Sequence, residues 1–453
     1  MTRSDPRPAN DPLTSPGGPE SGSGSVPDAY RPKESSWASR ALGKVPPLLR
    51  HTVFRRYWTA QTISYLGDQV TIVALPLIAV VTLDAGPGEV AVLSAAGSLP
   101  GLLFSLHAGA FVDRHGHRRR MMVLADLARA LLLVTVPVAY ALDVLTLNQL
   151  YVVAFCTGAF AVFFNVCATG LFTSVVPRAD YVAGMSLVQG SYSFSWTVGP
   201  SIGGVLVQIL SAPVVLVVDV LSFLGSASLI GAISAEEPPG EPDRRGRIKE
   251  GLQFVGRTPA LLAKFFADAS LNFFYSVYFA LLILFATRAL GLAPGLIGLV
   301  LGGGAVGALI GSAVASGIVR RIGIGPTFFL GSLLYPGALV LTPLAHGSPW
   351  LAALLLTAAE FISGFGLMVG DIAGNSIQQA LTPDRLRARV QGAYLLFNNG
   401  ARPLGALAGG ALGTWLGLRP TLWVSVGGGV VCVLLLLLSS SLRRMRDLPE
   451  EAA

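Results

Sequence analysis

The chain has 453 residues, of which 52% are hydrophobic and 13% charged; its formal net charge is +7 and its mean hydropathy +0.63. A typical soluble domain carries about 25% charged residues, so this composition excludes a water-soluble globular protein and indicates a polytopic membrane protein. The positive charge does not point to nucleic acid, because it collects in the connections between apolar runs.

Residues 1–50 are rich in Pro, Ser and Gly and hold no apolar core segment, which predicts a disordered cytoplasmic tail without a cleavable leader. Six apolar runs follow, at 57–83, 89–111, 121–142, 147–176, 184–210 and 213–234. A polar stretch at 235–259 interrupts them, and its 248–255 segment has the pattern of a short amphipathic surface helix. Six more runs stand at 260–289, 294–319, 326–345, 349–381, 390–416 and 421–442. Each is long enough to cross a bilayer. The expected organisation is an all-α membrane protein of 12 transmembrane helices, with six-helix bundles at 51–234 and 260–442, a cytoplasmic linker at 235–259 and a cytoplasmic tail at 443–453.

Charge placement supports this count. Alternate connections carry Arg114, Arg118, Arg119 and Arg120; Arg178; the 244–257 cluster; Arg320 and Arg321; and Arg385, Arg387 and Arg389. The opposite connections hold only Arg288 and Arg419. Positive connections face the cytoplasm, which puts both termini there. The halves also look related. Gly109, Arg114 and Gly116 have counterparts in Ser316, Arg321 and Gly323, each 207 positions on (316 − 109). Pro177 and Pro383, and Pro200 and Pro403, follow at nearly the same offset. A duplicated six-helix unit is a known transporter plan, with the site between the halves.

The connection after the second run holds Gly109, Asp113, Arg114, Gly116 and Arg118. That pattern resembles the loop between helices 2 and 3 of major facilitator superfamily transporters, with His117 where the family usually has Arg. The fifth run contains Ser195, Gly199, Pro200, Gly203 and Gly204. Pro200 removes a backbone donor, and the glycines make a flat face on which a helix can pack. This is similar to the fifth-helix signature of the superfamily's proton-coupled exporters, with Ser195 in place of its first Gly. The exporters' fourth-helix Arg is absent; the polar residue deep in that run is Asn165. The lead-in from Phe54 to Gln61 with Gly67 and Asp68, and the stretch from Pro383 through Arg389 to Gly405, look like the branch of enterobactin exporters and macrolide-efflux proteins.

An ionisable side chain in hydrocarbon costs about 3 kcal/mol or more, so each one within a span is a functional candidate. Gln61, Tyr65, Asp68 and Gln69 share a helical face expected to line a cavity, and Asp68 is the first candidate for a proton-carrying carboxylate. Asp371 and Glu360 are the other two, and the choice among the three stays open. Asp371 and Asn375 are one turn apart on the tenth span, and Asp371 corresponds to Asn165 under the repeat. Both helices line the cavity in the superfamily, so the resemblance places Asn165, Asp371 and Asn375 beside substrate. Asn272 and Tyr275 make a similar stripe with Asp268 on the seventh span, although solvation at the interface also accounts for Asp268. Asp126 and Arg129 are spaced as an intrahelical pair; Asp219 has no visible partner. Arg402 lies mid-span and requires a carboxylate or backbone partner, with Asp68 and Asp371 as candidates. The resemblance gives Asp113 and Arg114 a conformational role, with Asp113 set against the N-terminal end of the eleventh span.

The three cysteines, Cys156, Cys167 and Cys432, lie within apolar runs without metal spacing, so packed thiols are expected, and no metal or other cofactor. The chain is expected to be an exporter of a small amphipathic molecule in the bacterial cytoplasmic membrane, a monomer driven by proton antiport, with lipid, protons and substrate as its partners. An importer or a lipid flippase on the same fold is the nearest rival. A sensor lacks a signalling domain, and an enzyme lacks a nucleophile–base or metal cluster: the five histidines are scattered. No phosphate-binding loop of the G-x-x-x-x-G-K-[ST] type occurs.

Overall fold

The structure, a computed structural model, describes residues 47–234, 247–383, 386–438 and 445. The expectations for the tail up to residue 46, for most of the linker and for nearly all of the C-terminal tail lie outside the described residues. The chain divides into two units, Met1–His51 and Thr52–Ala453. In the first, Pro47–Arg50 is a single 3-10 turn, closed by the His51 N–H donating to the Leu48 carbonyl at 3.2 Å.

In the second unit all described secondary structure is helical. Hydrocarbon gives backbone groups no partner, so a helix that satisfies its own is what long apolar runs must form. The helices are α1 (Thr52–Leu77), α2 (Pro87–His115), α3 (Arg118–Ala141), α4 (Leu147–Val175), α5 (Tyr181–Leu210), α6 (Ala212–Gly231) and α7 (Arg247–Arg257), followed by α8 (Pro259–Leu284), α9 (Pro294–Ile322), α10 (Ile324–Gly337), α11 (Pro349–Leu381), α12 (Arg387–Leu416) and α13 (Leu418–Leu438). Proline opens α2, α8, α9 and α11 at the position where its missing N–H costs nothing. Thr146 and Ser348 cap α4 and α11, each accepting from the backbone N–H three residues on.

Among the described residues, eleven helices are long and apolar enough to cross a membrane. The expected eleventh span is present as the 30-residue α12, but it is not among those eleven. The polar run from Asn398 to Arg402 lowers its apolarity, and that run belongs to the site described below. The amphipathic segment of the linker is α7. It packs on α8 and α12, burying Val255 against Leu261, Phe265 and Val390, and Glu250 pairs with Arg389.

The packing of α1–α6 recurs in α8–α13. In the first set α1 lies against α5 and α6, α2 against α4, and α3 against α4 and α6. In the second, α8 lies against α12 and α13, α9 against α11, and α10 against α11 and α13. α1 runs on into a π-helical turn at Ile78–Thr82, and α8 into one at Phe285–Ala289, again 207 positions on (285 − 78). Two seams join the sets, α5 against α9 and α2 against α12. The largest apolar cluster runs through both sets, including Leu77, Leu93, Val207, Leu281, Ile297 and Leu356. It lies at the end of the bundle where Asp84 pairs with Arg288.

Candidate functional site

Two polar clusters occupy the interior, one in each set. The first joins α1, α3 and α6. The Arg129 guanidinium of α3 donates to the Asp68 carboxylate of α1. The Arg129 side chain is 4% exposed and that of Asp68 33%. A second nitrogen of Arg129 stands 3.5 Å from Asp126, and the guanidinium lies over the Phe223 ring, 3.9 Å from its centre. Asp219 arrives from α6 and accepts from the hydroxyls of Thr71 and Ser222. Gly67 permits this approach, since a side chain there would overlap Asp219 and Ser222. Two expectations change here. Arg129 is not confined to its own helix, because its long side chain spans to α1 where Asp68 completes the pair. Asp219 is not without partners; two hydroxyls bind it. Gln61 is also turned inward, 1% exposed, with its amide donating to the Tyr57 hydroxyl at 3.1 Å, while Tyr65 is half-buried against Tyr192.

The second cluster joins α8, α11 and α12. Lys264, buried, pairs with Asp268 at 2.7 Å and donates to Gln378 at 3.2 Å, with its ammonium 4.4 Å from the Tyr394 ring centre. Asp268 is therefore held by an ion pair inside the protein and not by interfacial water. Spacing could have shown this, because Lys264 stands four residues before Asp268. Asn272 donates to Asn398 at 2.6 Å and to the Asp268 carbonyl at 2.9 Å. Its carbonyl oxygen accepts from Arg402 Nε at 3.3 Å. Arg402 thus has an amide partner, and among the described residues it has neither Asp68 nor Asp371 as an ion pair; Asp68 is taken by Arg129.

Beside the second cluster is a pocket of about 30 Å³, walled by Asp268, Asn272, Ser332, Tyr335, Asp371 and Tyr394, room for a water or two. Asp371, Asn375, Asn165 and Arg402 are solvent-exposed. Tyr275 stacks between Phe279 and Tyr335, with ring centres at 5.8 and 5.2 Å. Glu360 stands apart, buried, and accepts from the Tyr278 hydroxyl at 2.9 Å, which also contacts Thr342 at 2.9 Å. Among the described residues no three His, Cys, Asp or Glu side chains come together as metal ligands.

The glycine motif of α5 serves two neighbours. Gly199 and Gly203 face α1, where Cβ atoms would meet Gln69 and Val70. Gly204 faces α9: a Cβ there would lie 2.7 Å from the Gly298 Cα. Ser201 donates to the Gly298 carbonyl at 3.1 Å, and Gln208 accepts from the Gly295 N–H at 3.1 Å. On the other seam Gly410 meets Gly88 and Ala91. These contacts lie toward the Asp84–Arg288 end. At the basic-loop end Gly109 has open space where a Cβ would stand. The loop there turns on Gly116 and His117, at φ +60° and +50°, and Arg114 is exposed. Arg118 folds over Gly170 of α4. The Asp113 side chain, and with it the expected contact to the start of α12, lies outside the described residues.

Comparison with known proteins gives a consistent picture. A family described as transmembrane secretion effector matches residues 43–452. The MFS-type transporter YfiS of Bacillus subtilis is 27% identical over 374 residues, 79% of this chain and 86% of that protein. The multidrug efflux pump Tap of Mycolicibacterium fortuitum is 28% identical over 402 residues, 84% of this chain and 93% of its own. Among solved structures, the nucleoside transporter NupG superposes with a TM-score of 0.71 at 12% identity, covering 86% of this chain and 99% of its own. A bacterial homologue of the iron transporter ferroportin in its inward-facing state gives 0.71 at 18% identity, covering 87% and 100%. At these identities the two structures speak to the fold alone.

Proposed function

Because the chain belongs to the transmembrane secretion effector family of major facilitator transporters, we propose that it exports a small amphipathic molecule from the bacterial cytoplasm by proton antiport and alternating access. Relatives named multidrug efflux pumps support the direction and the breadth of substrate. In this reading α12 is a twelfth span, both termini are cytoplasmic, α1–α6 and α8–α13 are the two moving bodies, and the working unit is a monomer.

The observation that carries the proposal is the Asp68–Arg129 cluster. One guanidinium sits among three carboxyl groups, Asp68, Asp126 and Asp219. Uncompensated charge inside a membrane is costly, and this group reaches neutrality with two protons. Asp68 is the member with access to solvent, so it takes and gives up the proton as the cavity changes sides. Protonation favours one state and substrate the other, and their difference in affinity couples the two fluxes. In this reading the Asp84–Arg288 pair marks the outer end of the bundle, and its contacts support a cytoplasm-open state.

The test is dye or antibiotic efflux from cells lacking their own pumps, with and without an uncoupler. Uncoupler-sensitive efflux by the wild type, absent in Asp68→Asn at equal protein level, is the expected result. Substrate uptake on acidifying the lumen of inside-out vesicles fixes the direction. Uptake into cells in place of efflux would overturn the export reading in favour of import.

A further inference from the structure

One basic side chain of the polar interior, Arg402, has no ion-pair partner among the described residues. Each of the other basic side chains in the polar interior is paired: Arg129 with Asp68, and Lys264 with Asp268. Arg402 is exposed, and its one hydrogen bond runs from Nε to the Asn272 oxygen at 3.3 Å. The two terminal nitrogens, the fork that grips carboxylates, make no hydrogen bond among the described residues. Arg402 is nevertheless held in place. Asn272, which receives its Nε, is held through its own Nδ2, which donates to Asn398 at 2.6 Å and to the Asp268 carbonyl at 2.9 Å. A guanidinium held in place with its fork open to solvent can take a bidentate anionic oxygen group.

Arg402 also lies within electrostatic range of several aromatic side chains. Its charge acts on Tyr192 of α5, as well as on Tyr275 and Tyr394 on its own side. Tyr192 packs edge-on to Tyr65, ring centres 5.2 Å apart, and against Trp196 at 6.1 Å. Tyr192 and Trp196 are 38% and 46% exposed. Asp371 is the opposing charge within reach of Arg402, but it belongs to the wall of the small pocket beside Asp268.

We propose that Arg402 anchors an anionic oxygen group of the substrate, so that the transported class is an amphipathic organic anion: a carboxylate or ionised phenol carried on a planar aromatic body that lies against Tyr65, Tyr192 and Trp196. The assignment rests on the export reading for its place in the cycle, but ligand binding tests it without transport.

The probes are dansylglycine, dansylglycinamide and dansylcadaverine, which share one fluorophore and carry a carboxylate, a neutral amide and an ammonium. Binding to the purified full-length chain in nanodiscs is read from dansyl emission, with protein-free nanodiscs subtracted. A fork-held carboxylate predicts that the wild type binds dansylglycine about tenfold or more tighter than the amide. Arg402→Gln should abolish that preference, and Arg402→Lys, which keeps the charge and loses the fork, should retain only part of it. A melting temperature within a few degrees of wild type marks a variant as folded. Equal or tighter binding of the amide or the ammonium by wild type, an unchanged preference in Arg402→Gln, or no binding of dansylglycine at millimolar concentration overturns the assignment. A carboxylate preference without uncoupler-sensitive efflux would instead overturn the export reading and leave Arg402 as the anion anchor.

Discussion

Replacing Gly204 by alanine should pry open the seam between α5 and α9. The new Cβ would stand 2.7 Å from the Gly298 Cα, 2.7 Å from the Pro294 oxygen and 2.9 Å from the Gly298 nitrogen. Every opposing atom is backbone, so no rotamer change relieves the overlap. Ordinary contact begins near 3.4 Å, so the helices must separate by about 0.7 Å or strain by an equivalent amount, which costs about 1–3 kcal/mol. That cost falls on the state in which this seam is closed. It should shift the balance between closed and open seam by about 5- to 150-fold. Cysteines introduced at Asp84 and Arg288, which pair across the same end, report the closure through disulfide cross-linking once Cys156, Cys167 and Cys432 are replaced. Cross-linking should fall in Gly204→Ala and stay at the parent level in Gly225→Ala, where a Cβ meets open space. Undiminished cross-linking in a folded Gly204→Ala protein would refute the claim that this contact holds the end shut.

Asp68→Asn should abolish pH-driven efflux and lower stability by only about 1–3 kcal/mol, because Arg129 keeps Asp126 at 3.5 Å and the Phe223 ring; thermal unfolding in detergent beside the efflux assay checks both. Lys264→Met strands a buried Asp268 and should cost about 3–5 kcal/mol, while Lys264→Met with Asp268→Asn should recover most of it. A double variant as unstable as the single one would mean that packing, not the ion pair, sets the cost. Glu360→Gln keeps an acceptor for the Tyr278 hydroxyl, so it should unfold within about 1 kcal/mol of wild type and retain uncoupler-sensitive efflux. Loss of coupling there would move the proton to Glu360.

The helices are legible in the sequence because lipid leaves an apolar run one way to satisfy its backbone. The short helix of the linker is legible for a related reason, since Val255 and its neighbours repeat at helical spacing. The partnerships between polar residues are less so. Asp126 and Arg129 can be paired from spacing, but only the crossing of α1, α3 and α6 shows that Asp68 and Asp219 share the same space. Gly67 is the residue that creates that crossing, and a single small residue in an apolar run gives no sign of its neighbour. Arg402 marks the opposite limit. Its need for a partner follows from its position mid-span, yet the partner is an amide that spacing does not distinguish from the carboxylates nearby. The composition of α12 carries a similar lesson: the run that lowers its apolarity, Asn398 to Arg402, supplies two members of the second cluster.

The two clusters differ in how they hold charge, and this bears on how one cycle can serve two ligands. In the first set the guanidinium is spent inside the cluster, against Asp68 and Asp126, so what remains variable there is protonation. In the second set the ammonium of Lys264 is spent on Asp268, and Arg402 has only an amide hydrogen bond, so occupancy of Arg402 by a ligand is what the proposal makes variable there. Asn272 ties the two parts of the second cluster together, since it touches both Asp268 and Arg402. Under the proposed mechanism the proton and the substrate would therefore not compete for one carboxylate. They would act on opposite bodies, joined chiefly through the α5–α9 and α2–α12 seams. Coupling would then depend on the rigidity of those seams, and Gly204, which touches neither ligand, would control it as strongly as Asp68.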